Sequence, residues 1–505
     1  MSTRAAATAI LASALLHALA LPPWDLWPLG FVALAPLLVL LQRMTPGRAA
    51  AWGLAWGMAA HWAEAAWVLP AMSFYYEQPM WFAVAFGVGS SFVYRGLHYA
   101  LFAAAACWLT RDRQGATRAL LLAATWTVFE LLRARGPTAD PWLLLGYSLV
   151  PAPILLQAAD LGGVYLLSFV IVLVNAAFAD LIGAQRSGAA ALAGAAALAL
   201  TIGYGHWHLS RPARLGQAVP VAIVQGNNDF GAQWQIEHYG AGLPTYLSLS
   251  RLAAERSRPR LLVWPESAVT SFLANEPRHL TAVRQMLAET GATLVTGAPH
   301  LVDGDPALPT FFNSAFSVDA GGIRARIDKH RLLPFAEYFP LRFVHFLRRR
   351  FDRVRSFAAG EGPGLLATPL GPTAVVICFE AVFPELVRQR MDTDGSALIN
   401  LSNDGWLGRG AGPAQHLAMV VPRAVEQRSW VIRATTTGVS VLIDPNGRVH
   451  HPTPLFRTAL IAGEIVPETR TTLYRRWGDW FPVACGLAIL TTLLRAIRKP
   501  PRRQA

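Results

Sequence analysis

The sequence predicts a multi-span α-helical membrane bundle joined to a mixed α/β domain. Three observations carry this. Of 505 residues, 53% are hydrophobic and only 15% charged, a balance too apolar for an ordinary soluble enzyme. Long apolar segments fill the chain as far as Trp207 and return once near residue 480. Beyond Trp207 the pattern changes abruptly, to short strand-like runs alternating with helical stretches.

The bundle comes first. Arg4 precedes an apolar run, Ala5 to Leu21, that reads as a first transmembrane helix; Ala18-Leu19-Ala20 also resembles a signal-peptide cleavage site. Further spans approaching the roughly 20 residues needed to cross a bilayer are expected near 28–42, 49–71, 86–109, 117–132, 162–183 and 188–207, and a last one at 478–497. Arg43 and Arg48, then Arg111, Arg113 and Arg118, then Arg186, alternate with acidic or neutral loops. Arg495, Arg498, Lys499, Arg502 and Arg503 form a basic tail. The positive-inside rule puts all of these in the cytoplasm. The expected organisation is a bundle of about seven spans over 1–210, an outer domain over 215–475, a C-terminal span over 478–497 and a cytoplasmic tail over 498–505. Arg133 and Arg135 fall on the outer side and run against this pattern. The net charge of +13 suits cytoplasmic membrane flanks, and no nucleic-acid partner is expected. His61, Glu64, Arg95 and His98 lie within spans, where ionisable groups are costly. They read either as a Glu64–Arg95 pair or as a lipid-headgroup contact.

In the second region the clearest strands are Val219 to Gln225, Arg260 to Trp264, Thr293 to Gly297, Ala374 to Cys378 and Ala397 to Leu401. Thr373 to Ile377 is a buried-strand pattern that ends on Cys378, with a helical segment starting at Pro384. A cysteine there offers its sulfur to a cleft, or is simply a small buried hydrophobe. Of three cysteines, Cys107 and Cys485 sit in apolar segments. No disulfide framework or CxxC metal pattern exists, and neither metal nor cofactor is expected. Glu266, in Trp264-Pro265-Glu266-Ser267-Ala268, stands at the end of another strand, which Pro265 terminates. Lys329 follows the run Arg324 to Asp328. It is one of two lysines in an arginine-rich chain, the other being Lys499 in the tail. A compact ammonium chosen over a planar guanidinium suggests a geometric need.

Glu, Lys and Cys at three strand ends form a coherent nucleophilic set. The thiolate attacks a carbonyl, the glutamate takes the thiol proton, and the ammonium stabilises thiolate and oxyanion. His330 and His416 lie near these motifs in sequence, which does not establish a Cys–His pair.

These motifs resemble the nitrilase (carbon–nitrogen hydrolase) superfamily, and the whole chain is similar to the bacterial apolipoprotein N-acyltransferase family. The resemblance is carried by Val224-Gln225-Gly226-Asn227, Trp264 to Ala268, Phe312-Asn313-Ser314-Ala315, Lys329 to Tyr338, Cys378-Phe379-Glu380 and Ser402 to Gly408, in that order behind a membrane bundle. It implies a nitrilase-like αββα sandwich with Glu266 as general base, Lys329 as oxyanion and thiolate stabiliser and Cys378 as nucleophile. It implies support from Glu337, Phe379 and Glu380, and places Trp234 near the substrate entrance. Phe379 stands where the family often has tyrosine, and Thr436 or Thr437 where asparagine is expected. The implied reaction is a ping-pong acyl transfer through a thioester on Cys378. Its donor is a membrane phospholipid, typically phosphatidylethanolamine, and its acceptor the α-amino group of an apolipoprotein's diacylglyceryl-cysteine.

Both substrates keep their acyl chains in the bilayer, so the site must open at membrane level. The aromatic segment Tyr338 to Leu347, followed by Arg348-Arg349-Arg350, reads as an interfacial arm or as an amphipathic helix packed on the domain. Two rival functions keep the same elements: a membrane-tethered amidase in which water resolves the thioester, and a transporter or sensor whose outer domain only binds ligand.

Overall fold

The computed structural model describes residues 2–136, 139–183, 186–211, 216–228, 238–302, 310–341, 344–350, 356–362, 364–391, 394–468 and 470–498. Two compact units result. One comprises Met1–Leu69, Trp81–Arg211 and Trp477–Ala505, the other Pro70–Met80 and Pro212–Arg476.

The first unit is helical. Among the described residues, four of its helices are long and apolar enough to cross a membrane: Thr3–Ala20, Gly115–Arg135, Ala159–Ile182 and Gly188–Leu209. The expected span at 28–42 is instead a chain of short helices, Trp27–Leu29, Gly30–Ala33 and Ala35–Leu41. Pro28 and Pro36 each sit in a first turn, where proline's missing N–H does no harm. Helix Pro46–Ala65 packs backbone to backbone against its neighbour, because a Cβ on Gly57 would stand 2.6 Å from the Arg95 carbonyl oxygen.

His17, Glu64, Arg95 and Arg133 of this unit are buried and take part in ion pairs, while His61 and His98 are half-buried. His17 Nε2 lies 2.9 Å from Glu64 Oε1, and Arg95 Nη2 lies 3.7 Å from Glu64 Oε2. Arg95 Nε reaches Asp140 Oδ2 at 3.2 Å, and Arg133 Nη1 reaches the same oxygen at 3.4 Å. Glu64 and Arg95 therefore form an internal pair, with hydrocarbon-facing charge avoided. Arg133, anomalous as an outer-loop charge, is buried, whereas Arg135 pairs with Asp479 but stays 45% exposed.

The second unit is built from two mixed sheets. Its strands are β1 (Val219–Gln225), β2 (Leu261–Val263), β3 (Thr293–Val302), β4 (Thr310–Asp319), β5 (Gly322–Asp328), β6 (Leu365–Thr368), β7 (Gly371–Ile377), β8 (Ala397–Ser402), β9 (Val431–Thr435), β10 (Val441–Ile443), β11 (Val449–His450) and β12 (Ala459–Ile465). Among the described residues the sheet orders are β12-β1-β2-β3-β4-β5 and β11-β10-β9-β8-β7-β6. The centre of each sheet is parallel, β1-β2-β3 in one and β7-β8-β9 in the other, and the flanking pairs are antiparallel. Such near-continuous apolar strands are those of a sheet buried on both faces.

One core lies between the sheets, where Val221, Ile223 and Val263 meet Val375, Ile377 and Ile399. A second lies on the other face of the first sheet, where Val224, Leu262 and Leu294 pack with Tyr246 of helix Leu243–Ser257 and Met286 of helix Pro277–Thr290. Helices Pro384–Met391 and Ala411–Gln427 cover the second sheet. The layers are thus helix, sheet, sheet, helix, the αββα sandwich.

Candidate active site

Three strand ends deliver the three expected side chains. Glu266 follows β2, Lys329 follows β5 and Cys378 follows β7. All three are buried. The strand β2 stops because Trp264 precedes Pro265, and the turn that follows is pressed against β3. A Cβ on Gly297 would stand 2.6 Å from Glu266 Cα, so only glycine lets the two backbones approach.

Lys329 Nζ lies 2.9 Å from Glu337 Oε1 and 2.9 Å from Glu337 Oε2, and 3.5 Å from Glu266 Oε1. Asn313, on β4, ties the two acids together. Its Nδ2 donates to Glu266 Oε1 at 2.7 Å and to Glu337 Oε1 at 2.8 Å. Glu266 Oε2 accepts the main-chain N–H of Asn403 at 2.7 Å, and Glu337 Oε2 that of Leu333 at 2.8 Å. Every oxygen of the two carboxylates is thereby held.

The electrostatics follow from this packing. Burial works against a charged Lys329, but Glu337, then Glu266, then Cys378 outweigh it and hold the ammonium well above the usual lysine range. Burial raises Glu266 above an ordinary glutamate; Lys329 opposes this and Glu337 adds to it. Burial also pushes the Cys378 thiol far up, reinforced by the charge of Glu266 and opposed by Lys329. At rest the sulfur is a neutral thiol beside a carboxylate of raised proton affinity, an arrangement suited to proton transfer as attack begins.

Cys378 opens a tight turn, Cys378–Val382, with φ of 54°, a left-handed conformation uncommon outside glycine. Glu380 clamps this turn to the lysine loop. Its Oε1 accepts from the main-chain N–H of His330 at 2.8 Å and of Arg331 at 3.1 Å, and from Arg390 Nη2 at 3.0 Å, while Oε2 accepts Ile377 N–H at 2.8 Å. Phe379 packs edge-on against Phe383, centroids 5.0 Å apart, with no hydroxyl to offer. Thr436, where asparagine is expected, donates its hydroxyl to Asn403 Oδ1 at 2.7 Å, so the residue behind Glu266 is still held. Trp234 lies outside the described residues. The helix His345–Arg350 exposes Phe346, His345, Arg348 and Arg349.

Sequence reasoning assigned no role to Asn313, although it lies in a quoted motif. It missed Tyr76 entirely. Tyr76 belongs to Pro70–Met80, a segment of the early chain that clusters with the sandwich. There Ala71–Tyr75 packs on Gly405–Leu407, and Gln78 Nε2 donates to the Arg350 carbonyl at 3.0 Å. The phenol is close enough for Glu337 and Cys378, after burial, to raise its proton affinity.

Sandwich and strand-end cluster together define a nitrilase-type enzyme domain, here in a chain that also carries a helical membrane bundle. The comparisons agree for both parts. The model of the apolipoprotein N-acyltransferase N-terminal domain matches residues 13–177, and that of carbon-nitrogen hydrolase matches 220–475. An apolipoprotein N-acyltransferase of Geobacter metallireducens is 34% identical over 494 residues, covering 95% of this chain and 94% of the relative. One of Azotobacter vinelandii is 35% identical over 511 residues, covering 98% and 95%. Among solved structures, Saccharomyces cerevisiae Nit3 of the nitrilase superfamily matches 58% of this chain and all of its own, at 18% identity and a TM-score of 0.40. The chain belongs to the apolipoprotein N-acyltransferase family and is an acyltransferase.

Proposed function

We propose that the protein moves one acyl chain from a membrane phospholipid, such as phosphatidylethanolamine, to the α-amino group of an apolipoprotein's N-terminal diacylglyceryl-cysteine. Glu266 takes the Cys378 thiol proton as sulfur attacks the ester carbonyl. Lys329 and its supporting Glu337 face the oxyanion. Collapse expels the lysophospholipid alkoxide, which leaves with the proton from Glu266, and a thioester remains on Cys378. The neutral acceptor amine then attacks that thioester. Glu266 takes the amine's proton and returns it to the departing sulfur, leaving an amide and a free thiol. Glu380 acts by holding the nucleophile's turn, and Phe379 by packing beside it. Trp234 belongs, on this reading, to the substrate entrance. Residues 215–475 form the catalytic domain, placed on the periplasmic side of the inner membrane, with 1–210 and 478–497 spanning it and 498–505 in the cytoplasm.

The observation that carries this is the buried Glu266–Lys329–Glu337 cluster, joined by Asn313, with the equally buried Cys378 at the third strand end. Two buried carboxylates around one ammonium are stabilised mainly by each other. They leave no ordinary structural reason for a strained cysteine to sit among them. Mass spectrometry of the purified protein tests the reading. Incubated with phosphatidylethanolamine, Cys378 should gain the mass of a fatty acyl group, and the Cys378→Ala variant should gain none and transfer nothing. An unmodified Cys378 in protein that still transfers acyl chains would remove the thioester from the mechanism.

A further inference from the structure

Each oxygen of Glu266 is held by a different element. Oε1 accepts from Asn313 on β4 and lies 3.5 Å from Lys329 Nζ. Oε2 accepts the main-chain N–H of Asn403, the first residue after β8, at 2.7 Å. That second bond runs from the end of one sheet to the end of the other. The donor is oriented by its own side chain. Asn403 Oδ1 accepts the N–H of Gly405 at 3.1 Å, an Asx turn, and the hydroxyl of Thr436 at 2.7 Å. Thr436 is buried directly after β9, and its main chain is fixed on both sides. Its N–H donates to the Ser402 carbonyl and its carbonyl accepts the Asn227 N–H, each at 3.1 Å. The hydroxyl is thus presented to Asn403 by backbone bonds that do not themselves need it.

We propose that Thr436 is a positioning residue for Glu266, its hydroxyl holding the Asn403 carboxamide so that the Asn403 amide stays bonded to Glu266 Oε2 and favours the ionised carboxylate. Thr436 touches no substrate. A hydrogen bond to the charged form of an acid favours that form. Here the Asn403 and Asn313 bonds and the charge of Lys329 oppose burial and the charge of Glu337, which raise Glu266. The charged and titratable groups around the carboxylate have anchors of their own. Lys329 and Glu337 are paired with each other, the Cys378 turn is clamped by Glu380, and Asp404, next to Asn403, is engaged by Arg433 and His416. Tyr76, near Glu337 and Cys378, comes from a separate segment. Without the hydroxyl the Asn403 bond weakens, the ionised form loses a donor, and the proton affinity of Glu266 rises. The inference rests on Glu266 being the base of the proposed reaction.

Two titrations on folded, detergent-purified protein test it. Infrared spectroscopy follows the carboxyl C=O band of protonated Glu266, assigned by its absence in Glu266→Gln. Mass spectrometry follows the pH dependence of the acyl adduct that Cys378 gains from phosphatidylethanolamine. Thr436→Val keeps the shape of the side chain and removes the hydroxyl. In it both midpoints should move up by about one pH unit, the scale of a weakened hydrogen bond to a charged group. Thr436→Ser restores a hydroxyl, and both midpoints should return to those of the parent. An unshifted infrared midpoint in folded Thr436→Val would overturn the proposal, as would an equal shift in Thr436→Ser. A hydroxyl that serves stability alone would lower the melting temperature of Thr436→Val and leave both midpoints in place, which also overturns it. If Thr436→Val does not fold, Thr436→Ala removes the same hydroxyl and is judged by the same outcomes. A parent that gains no acyl adduct would defeat the functional reading instead, while the infrared titration would still judge the hold on Glu266.

Discussion

Lys329 has three carboxylate oxygens around one nitrogen, two at 2.9 Å and one at 3.5 Å. An ammonium can serve three acceptors tetrahedrally, whereas a guanidinium spreads its charge over a flat fork. Lys329→Arg should fold, since charge is preserved, yet lose roughly a hundredfold to a thousandfold in rate, the usual loss when one oxyanion donor is removed. Melting temperature and acyl transfer measured on one preparation separate the two effects; near-parent transfer would make Lys329 a generic cation. Glu266 yields a pH prediction. Its proton affinity is raised above the ordinary value of 4.5, and it must be ionised to accept the thiol proton. Acyl-enzyme formation should therefore rise with pH through a midpoint above 4.5, and Glu266→Gln should abolish that limb. A midpoint at or below 4.5 would assign the limb to another group. Glu266 and Cys378 are legible in the sequence because each closes an apolar run, and Lys329 because it is one of two lysines in an arginine-rich chain. Asn313 is not, because its role exists only once β4 carries it between two acids from other loops. Tyr76 gives no local signal at all, since what matters is where a distant segment folds back.

At the scale of elements, β3 shows how a strand can shape a site to which it contributes no functional side chain. Gly297 lies where an added Cβ would be 2.6 Å from Glu266 Cα and 2.9 Å from the Pro265 carbonyl oxygen. Those are backbone atoms, so relief requires moving the turn that bears Glu266. Gly297→Ala should cost about 1–3 kcal/mol, the range for overpacking a well-filled interior, and should lower acyl-enzyme formation beyond what the folded fraction explains. Thermal unfolding and the mass-spectrometric adduct assay check both halves; a stable, fully active variant would mean the turn is more pliable than its packing implies. The parallel strands themselves are legible because burial on both faces makes them short continuous apolar runs. β12 is harder. Ala459 to Ile465 is a short run of mostly small and apolar residues with a single charge, Glu464, and its antiparallel partner β1 lies far away in sequence. The run from Trp27 to Leu41 is apolar throughout but is built of three short helices, Pro28 and Pro36 each standing in a first turn. The arm after Tyr338 is resolved in part: Phe346 is 57% exposed, which a helix packed on the domain by its aromatic face would not show.

For the whole molecule, the open question is which side of the membrane carries the sandwich, and the answer depends on which arginines count. The positive-inside rule concerns charges in short loops that must be left behind or carried across. Arg43, Arg48, Arg111, Arg113 and Arg186 are such charges by position. Arg133 and Arg135 point the other way in a simple tally, yet Arg133 is buried against Asp140 and the carbonyls of Trp142 and Leu143, and Arg135 is paired with Asp479. A charge neutralised inside the fold is a poor guide to loop orientation, so the rule is better applied without Arg133, and equally without Arg118, which is buried against Asp180, while Arg135, 45% exposed, still counts against it. Applied that way, it puts the region after Trp207 outside the cytoplasm and the basic tail inside. Fusions test this directly. Alkaline phosphatase joined just after Trp207 should be active, because that enzyme needs the oxidising periplasm for its disulfides, and the same reporter at the C-terminus should be inactive. Replacing Arg133 and Arg135 together by glutamine should leave the reporter pattern unchanged in whatever protein accumulates, since neither is proposed to set topology. Activity at the C-terminal fusion and silence after Trp207 would invert the orientation. The lipoprotein acceptor, whose amine is expected on the outer face, would then be lost with it.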